Sequence, residues 1–327
     1  MTELGSEWHT LDVAGVPGPR PWGPGARFTA TGRGALHLAL DALDVQRLWV
    51  PSFACPSFLR AVVGRVELCV YPDRPDEPFR WPDAAPEDGV LIHDPFGLRT
   101  RPARGPGRVI EDHTHAPFSA WARTSEADVC LASVRKVLPV ADGAVAWSPA
   151  GRPLGEVGPA DPDVQRAVAT KWAGMAAKAA YLATGEGDKR RFRAWLAAGE
   201  GNLWAGRPTP MSTRSRRLLA RADVARLRRA RAVHHAHLVD AGLPGLVVGD
   251  APAPSFAFVV FPTAAERDAR RQALAARGIY ASALWPLDDA VWDVSDADRS
   301  LAARSFAIPL DVRATRTHLD AVIEVLR

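Results

Sequence analysis

Lysine is nearly absent from this sequence. Its 327 residues hold 37 arginines but only four lysines, Lys136, Lys171, Lys178 and Lys189. Ordinary surface charge is therefore carried by arginine, and each lysine asks for a reason of its own. Cysteine is scarcer still: Cys55, Cys69 and Cys130 lie in or beside apolar runs. Three cysteines without ligand spacing exclude a disulfide framework, give no metal site, and point to a reducing cytoplasm. No apolar run approaches a membrane span, and the first residues lack the charged-then-apolar order of a secretory signal, so no membrane association is expected. Charge excess is small as well. A formal net charge of +4 gives no nucleic-acid signature. What the chain does have is apolar content, 47% of residues, enough for a large core or two unequal domains.

One of the four lysines follows an apolar run. Residues 128–143 read Asp-Val-Cys-Leu-Ala-Ser133-Val-Arg-Lys136, then a turn-like segment from Pro139 to Gly143. Val129–Ala132 is a buried strand by this pattern, and α/β proteins place ligands at the ends of such strands. A desolvated ammonium loses stability, its pKa falls, and the neutral amine can attack a carbonyl. The plainer reading, a surface lysine in a loop, fits poorly with a chain that uses arginine for that purpose.

Two further segments belong with it. Thr31-Gly32-Arg33-Gly34-Ala35-Leu36 puts a glycine turn before Leu36, Leu40 and Leu43 at helical spacing. A helix opened by glycines exposes free N–H groups at its positive end, which suits a phosphate, and Arg33 adds a charged donor. Val109-Ile110-Glu111-Asp112-His113-Thr114-His115 ends a short strand on Asp112, where a carboxylate can hold a cationic ring nitrogen. Taken singly, Asp112 is as well explained by an Asx turn or helix cap, and the two histidines by loop hydrogen bonding.

Around these segments short apolar strands alternate with helices, over residues 47–50, 66–71, 90–93, 109–111 and 129–132, without strict alternation. That pattern predicts an α/β protein with about seven strands in a mostly parallel sheet covered on both faces. Residues 1–27, rich in Pro and Gly, read as an irregular arm, 28–160 as the large domain, 161–240 as a helical linker and interface region, and 241–327 as a small C-terminal α+β domain with strands at 255–261, 279–285 and 306–310. Residues 163–199 read as helical, and 212–241 as one strongly basic helix. Its arginines form a solvated face with a few contacts to a partner subunit rather than a nucleic-acid reader, since no stacking aromatics are interleaved.

A phosphate cradle, a strand-end aspartate and a strand-end lysine, in that order, are the three things pyridoxal 5'-phosphate needs. The chain resembles the DegT–StrS family of fold-type-I, pyridoxal-phosphate-dependent aminotransferases, as a short divergent member, from about Thr31 onward. The segments that carry the resemblance are those at Thr31, Asp112 and Lys136, with Val50-Pro51-Ser52-Phe53-Ala54-Cys55-Pro56, Pro210-Met211-Ser212, Gly278-Ile279-Tyr280, Leu284-Trp285-Pro286-Leu287 and Leu310-Asp311-Val312-Arg313. It implies that Lys136 forms the Schiff base, Asp112 holds the ring nitrogen and His115 the 3-hydroxyl. It further implies that Gly32, Arg33, Gly34 and Ser133 hold the phosphate. Cys55 stands where a ring-stacking aromatic is usual in the family, which leaves Phe53 or Phe58 to replace it. The implied activity moves an amino group from an amino-acid donor to a keto acceptor, a keto sugar or specialised-metabolite intermediate, in a homodimer with a shared active site. The short chain leaves open another pyridoxal-phosphate outcome (elimination, retro-aldol cleavage, decarboxylation or oxidation) and, outside enzymes, a degenerate binding protein. Trp204, Arg135, Trp285 and Arg313 are candidates for the acceptor side, Arg313 with a structural salt bridge as the equal alternative.

Overall fold

A computed structural model describes residues 3–327. In chain order its strands are β1 (Leu4–Gly5), β2 (Arg27–Thr29), β3 (Arg47–Pro51), β4 (Glu67–Tyr71), β5 (Gly89–His93), β6 (Arg108–Asp112), β7 (Val129–Ala132), β8 (Ala144–Trp147), β9 (Phe256–Val260), β10 (Ile279–Tyr280) and β11 (Ser305–Pro309). Its helices are α1 (Gly32–Leu43), α2 (Pro56–Leu59), α3 (Ala120–Arg123), α4 (Pro162–Thr184), α5 (Lys189–Gly201), α6 (Thr213–Arg221), α7 (Val224–Asp240), α8 (Ala264–Ala276), α9 (Asp296–Ala303) and α10 (Arg316–Leu326).

Seven strands form one sheet in the order β2-β8-β7-β6-β5-β3-β4. The pairs β3/β4, β3/β5, β5/β6 and β6/β7 are parallel, and β8 alone runs against its neighbours. β5, β7 and β8 are buried along their whole length, as continuous apolar runs covered on both faces must be. Leu36, Leu40 and Leu43 of α1 pack with Leu91, Ile110 and Leu131 on one face. Val90, Ile92 and Val109 face the other way, toward Trp172 and Met175 of α4. The strand order reverses between β3 and β5, and a crevice at the carboxyl ends of the strands opens at such a switch point.

The C-terminal unit sets β9 antiparallel to β11, with α8 and α10 packed through Leu274, Leu319 and Val322. The N-terminal arm is more ordered than its composition predicts. β1 pairs in parallel with β10, Leu4 opposite Ile279, and Leu4 is fully buried. Lysines hold this arm down. Lys178 donates to Ser6 Oγ and to the Glu7 carbonyl, each at 2.7 Å. Lys189 lies 2.9 Å from Glu3, and Lys171 lies 3.4 Å from Glu7.

Three helical or strand spans differ from expectation. The 163–199 stretch breaks where Gly185 takes a φ of 75° and Asp188 caps α5. The basic helix breaks at Ala222, because Asp223 turns out to cap α7 by accepting from the Arg226 N–H at 2.8 Å. The strand begun at Ile279 lasts only two residues; beyond it Ser282 still bridges Ala307, but Pro286 can supply no ladder donor. Nor is the basic face wholly solvated: Arg214 lies over Trp172, Arg216 over Phe28, and Arg231 is buried.

Candidate active site

The strand ends that meet at the switch point supply the walls of a cavity of about 430 Å³. Pro51 comes from β3, Leu91 and His93 from β5, Asp112 from β6, Ser133 and Lys136 from the turn after β7, and Gly32 and Arg33 from the start of α1. Phe58, Phe256 and Trp285 add aromatic surface.

The start of α1 is set by Thr31, whose hydroxyl accepts from the Gly34 N–H at 3.3 Å. That bond uses the Gly34 amide, and Gly34 is not on the cavity wall. The first-turn amides of Gly32 and Arg33 have no intrahelical acceptor. Beside them stands Ser133, so close that a Cβ on Gly32 would lie 3.3 Å from the Ser133 Cβ. Ser133 donates its backbone N–H to Thr114 Oγ1 at 3.0 Å, while its own Oγ is buried without a partner. An orphaned hydroxyl beside free helix-end amides is what an anion would complete.

Lys136 ends a single 3₁₀ turn, 134–136, between β7 and the loop leading to β8. That loop is fixed from three sides. Gly143 donates to the Ala30 carbonyl at 2.7 Å. Asp142, fully buried, accepts from Ser212 and Ser215 at the start of α6. Arg231 of α7 donates to the Val137 carbonyl at 3.1 Å. The Lys136 side chain is 46% exposed, less desolvated than the sequence pattern predicts, with its amine at the cavity mouth 3.9 Å from Glu200. Neighbouring Arg135, then burial, pull its pKa down to about 8, against the opposing pull of Glu200.

Asp112 accepts from the Thr114 N–H at 2.8 Å, an Asx turn, yet it also lines the cavity. Burial raises its pKa, with the Thr114 bonds opposing. The Asx turn expected from the sequence is thus present, and it leaves Asp112 on the cavity wall. His115 accepts the Phe96 N–H on Nδ1 at 2.9 Å, which leaves the ring proton on Nε2. Its ring lies nearly parallel to those of Phe96 and Trp285, with centroids at 5.5 and 5.6 Å. Burial, with His93, Lys136 and Arg231 nearby, depresses its pKa to about 3, so it is neutral at physiological pH.

Of the anticipated residues, Gly32, Arg33, Cys55, Asp112, His115, Ser133 and Lys136 are brought together. Phe53 is not: it is fully buried behind the wall, edge-on to Trp285 at 5.7 Å. Phe58, Phe256 and Trp285 are the aromatics that reach the cavity. Arg313 is also elsewhere, clamped on Asp311 at 2.8 Å and lying over Trp8. Trp204 packs under the Arg33 guanidinium, 5.4 Å away.

Two wall carboxylates were not anticipated. Asp94 follows β5, is 2% exposed, and has an unpartnered Oδ2; burial raises its pKa to about 6. Glu200 reaches in from the last turn of α5 to Arg135, Lys171 and Lys136. Burial would raise its pKa, but those three cations hold it well below the usual carboxylate range. An acid at a helix C-terminus opposes the macrodipole, and that was the available sequence signal. The fold also gathers Glu111, His113 and Cys130, which sequence spacing had not suggested. Glu111 points to the sheet face opposite Asp112 and is bonded to His113 at 2.8 Å, with the Cys130 thiol 3.7 Å away.

No protein-family model and no curated protein sequence matches the chain. Solved structures do match its fold. A Streptococcus pneumoniae protein assigned as a sugar aminotransferase, solved in a PMP form, has a TM-score of 0.63 at 13% identity, over 92% of this chain and 85% of that chain. DesV of S. venezuelae gives 0.58 at 19% identity, over 92% and 84%. A DegT/DnrJ/EryC1/StrS aminotransferase from Brucella abortus gives 0.57 at 16%, over 92% and 85%. The protein therefore has the α/β fold of the fold-type-I transferases, with its mostly parallel seven-stranded sheet.

Proposed function

We propose that the protein is a pyridoxal-phosphate-dependent aminotransferase that moves an amino group from an amino-acid donor to a keto acceptor. The observation that carries this reading is the meeting of three groups in one cavity. They are an orphaned Ser133 hydroxyl beside the free amides of α1, a half-buried Asp112 carboxylate, and the Lys136 amine. The residues present fit the cofactor. Gly32, Arg33 and Ser133 would hold its phosphate, Asp112 its ring nitrogen, His115 Nε2–H its ring hydroxyl, and Lys136 its aldehyde. When bound, the cofactor supplies an electron sink for a carbanion next to nitrogen. Asp112 supplies the negative charge that keeps a ring nitrogen protonated. Lys136, with its pKa near 8, can carry a proton at its Nζ in either direction near neutral pH. Phe58, Phe256 and Trp285 would flank the ring with apolar surface. Keto sugars and related specialised-metabolite intermediates are the acceptor class of this proposal, in line with the sugar aminotransferase among the similar folds, and a homodimer is the expected assembly.

The test is spectroscopic. The purified chain should take up pyridoxal phosphate, absorb near the yellow region, and retain the label on Lys136 after borohydride. Lys136→Ala should not. Adding glutamate or another amino donor should convert the bound cofactor to its pyridoxamine form. Release of ammonia or aldehyde without that form would replace transfer by elimination or cleavage. Borohydride-stable label in Lys136→Ala would overturn the lysine assignment. Sedimentation at the mass of one chain, with full activity, would overturn the dimer.

A further inference from the structure

The reading above leaves Glu200 without a task, although it is the carboxylate nearest the working amine. Its two oxygens do different things. Oε2 is held by Arg135 at 2.6 Å and by Lys171. Oε1 faces the Lys136 amine at 3.9 Å, an ion pair without a direct hydrogen bond. Lys171 is almost wholly buried on α4 and is itself backed by Glu7 of the N-terminal arm. Arg135 is 10% exposed, against 46% for Lys136. The two firm partners thus fix the carboxylate, and the loose one is the amine.

We propose that Glu200 is the positioning residue of Lys136: anchored by Arg135 and Lys171, it holds the free amine at the cavity mouth until a carbonyl takes it. This rests on the reading above only for the identity of that carbonyl. The charged neighbours bear it out from every side. Arg135 lies on the same turn as the amine, Glu200 on α5, Glu7 on the arm, Cys55 after β3 and His115 after β6. Arg33 of α1 and Lys171 of α4 act on Glu200 itself. Arg135 repels the amine, so Glu200 is the neighbour that offsets it most strongly. A bond to both oxygens of equal strength would lock the lysine as an ammonium. A 3.9 Å approach by one oxygen keeps it aligned yet free to lose its proton.

The experiment needs no cofactor. The chain is treated with hydroxylamine and dialysed to remove any carbonyl adduct. Its lysines are acetylated briefly with isotopic acetic anhydride across pH 6–10 and quantified by peptide mass spectrometry, with Lys189 as internal reference. The wild-type Lys136 profile should turn near pH 8. Glu200→Gln can still accept from Arg135 but loses the charge. Its Lys136 midpoint should fall by about one unit or more, with a several-fold rise in labelling near neutral pH. Glu200→Asp should lie between. Lys171→Met frees Glu200 from one competitor and should move the midpoint upward. Damage to the fold would not move the two variants in opposite directions. An unchanged Lys136 profile in Glu200→Gln, or a shift of the same sign in Lys171→Met, overturns the proposal. Failure of the wild-type chain to take up pyridoxal phosphate would overturn the proposed function and leave this result standing.

Discussion

The Asp142 carboxylate receives both the backbone N–H of Ser212, at 2.7 Å, and the Ser212 hydroxyl, at 2.6 Å. Through this pair the loop after Lys136 is also the anchor of α6, since Ser212 is the residue that caps it. Ser215 adds a third donor to the same buried carboxylate. Asp142→Ala should therefore leave two hydroxyls and an amide unsatisfied and cost about 3–4 kcal/mol, measured by urea unfolding. Asp142→Asn should recover part of that. A loss below about 1 kcal/mol in Asp142→Ala would mean the network carries little.

Gly143 tests the same loop from the backbone side. Its φ of 133° is one that side chains rarely adopt, and an added Cβ would sit 2.3 Å from the Met211 Cε. Gly143→Ala should cost about 2–3 kcal/mol by denaturant melts. Adding Met211→Ala should relieve the collision but not the backbone strain, so the double variant should remain less stable than Met211→Ala alone. Full recovery would assign the cost to the methionine.

Asp94 predicts a pH dependence. Its folded pKa, about 6, is raised above the ordinary carboxylate value by burial. A raised folded pKa adds stability at pH values below the unfolded pKa, near 4, and that gain is lost as pH rises through 6. At pH 8 the wild type holds a buried, half-partnered carboxylate that Asp94→Asn lacks. The variant should be more stable there by about 1–3 kcal/mol, and the advantage should vanish by pH 4. Chemical melts at pH 4, 6 and 8 read this directly. An advantage independent of pH would show that Asp94 does not ionise in this range.

Ser133 separates phosphate recognition from ring recognition. Ser133→Ala should weaken pyridoxal phosphate about tenfold, the worth of one hydroxyl bond to a charged group, and leave pyridoxal without phosphate nearly unchanged. Equal losses for the two would place the hydroxyl away from the phosphate.

How much of this was written in the sequence depends on how locally each part is specified. Ser133, Lys136 and Asp112 each stand just after or at the end of an apolar strand, so strand pattern and site position were one signal. The sheet's strands were legible for the same reason. Phe53 was not placed correctly because the turn after β3 decides which of its side chains faces the cavity, and here that turn sends Phe53 inward beneath Trp285. Asp94 and Glu200 carry no motif; one is exposed to the site by strand order, the other by the packing of α5 on α4. The break at Ala222 hid in plain view, since Asp223 caps a helix only if the chain turns there.

Three of the four lysines clasp the first residues of the chain, through Glu3, Ser6 and Glu7, and the fourth stands at the cavity mouth. Amine-directed reagents consequently find no lysine here whose modification is without consequence. Carbamylation in aged urea, or coupling to an activated-ester resin, would either silence the mouth or unfasten the amino-terminal clasp.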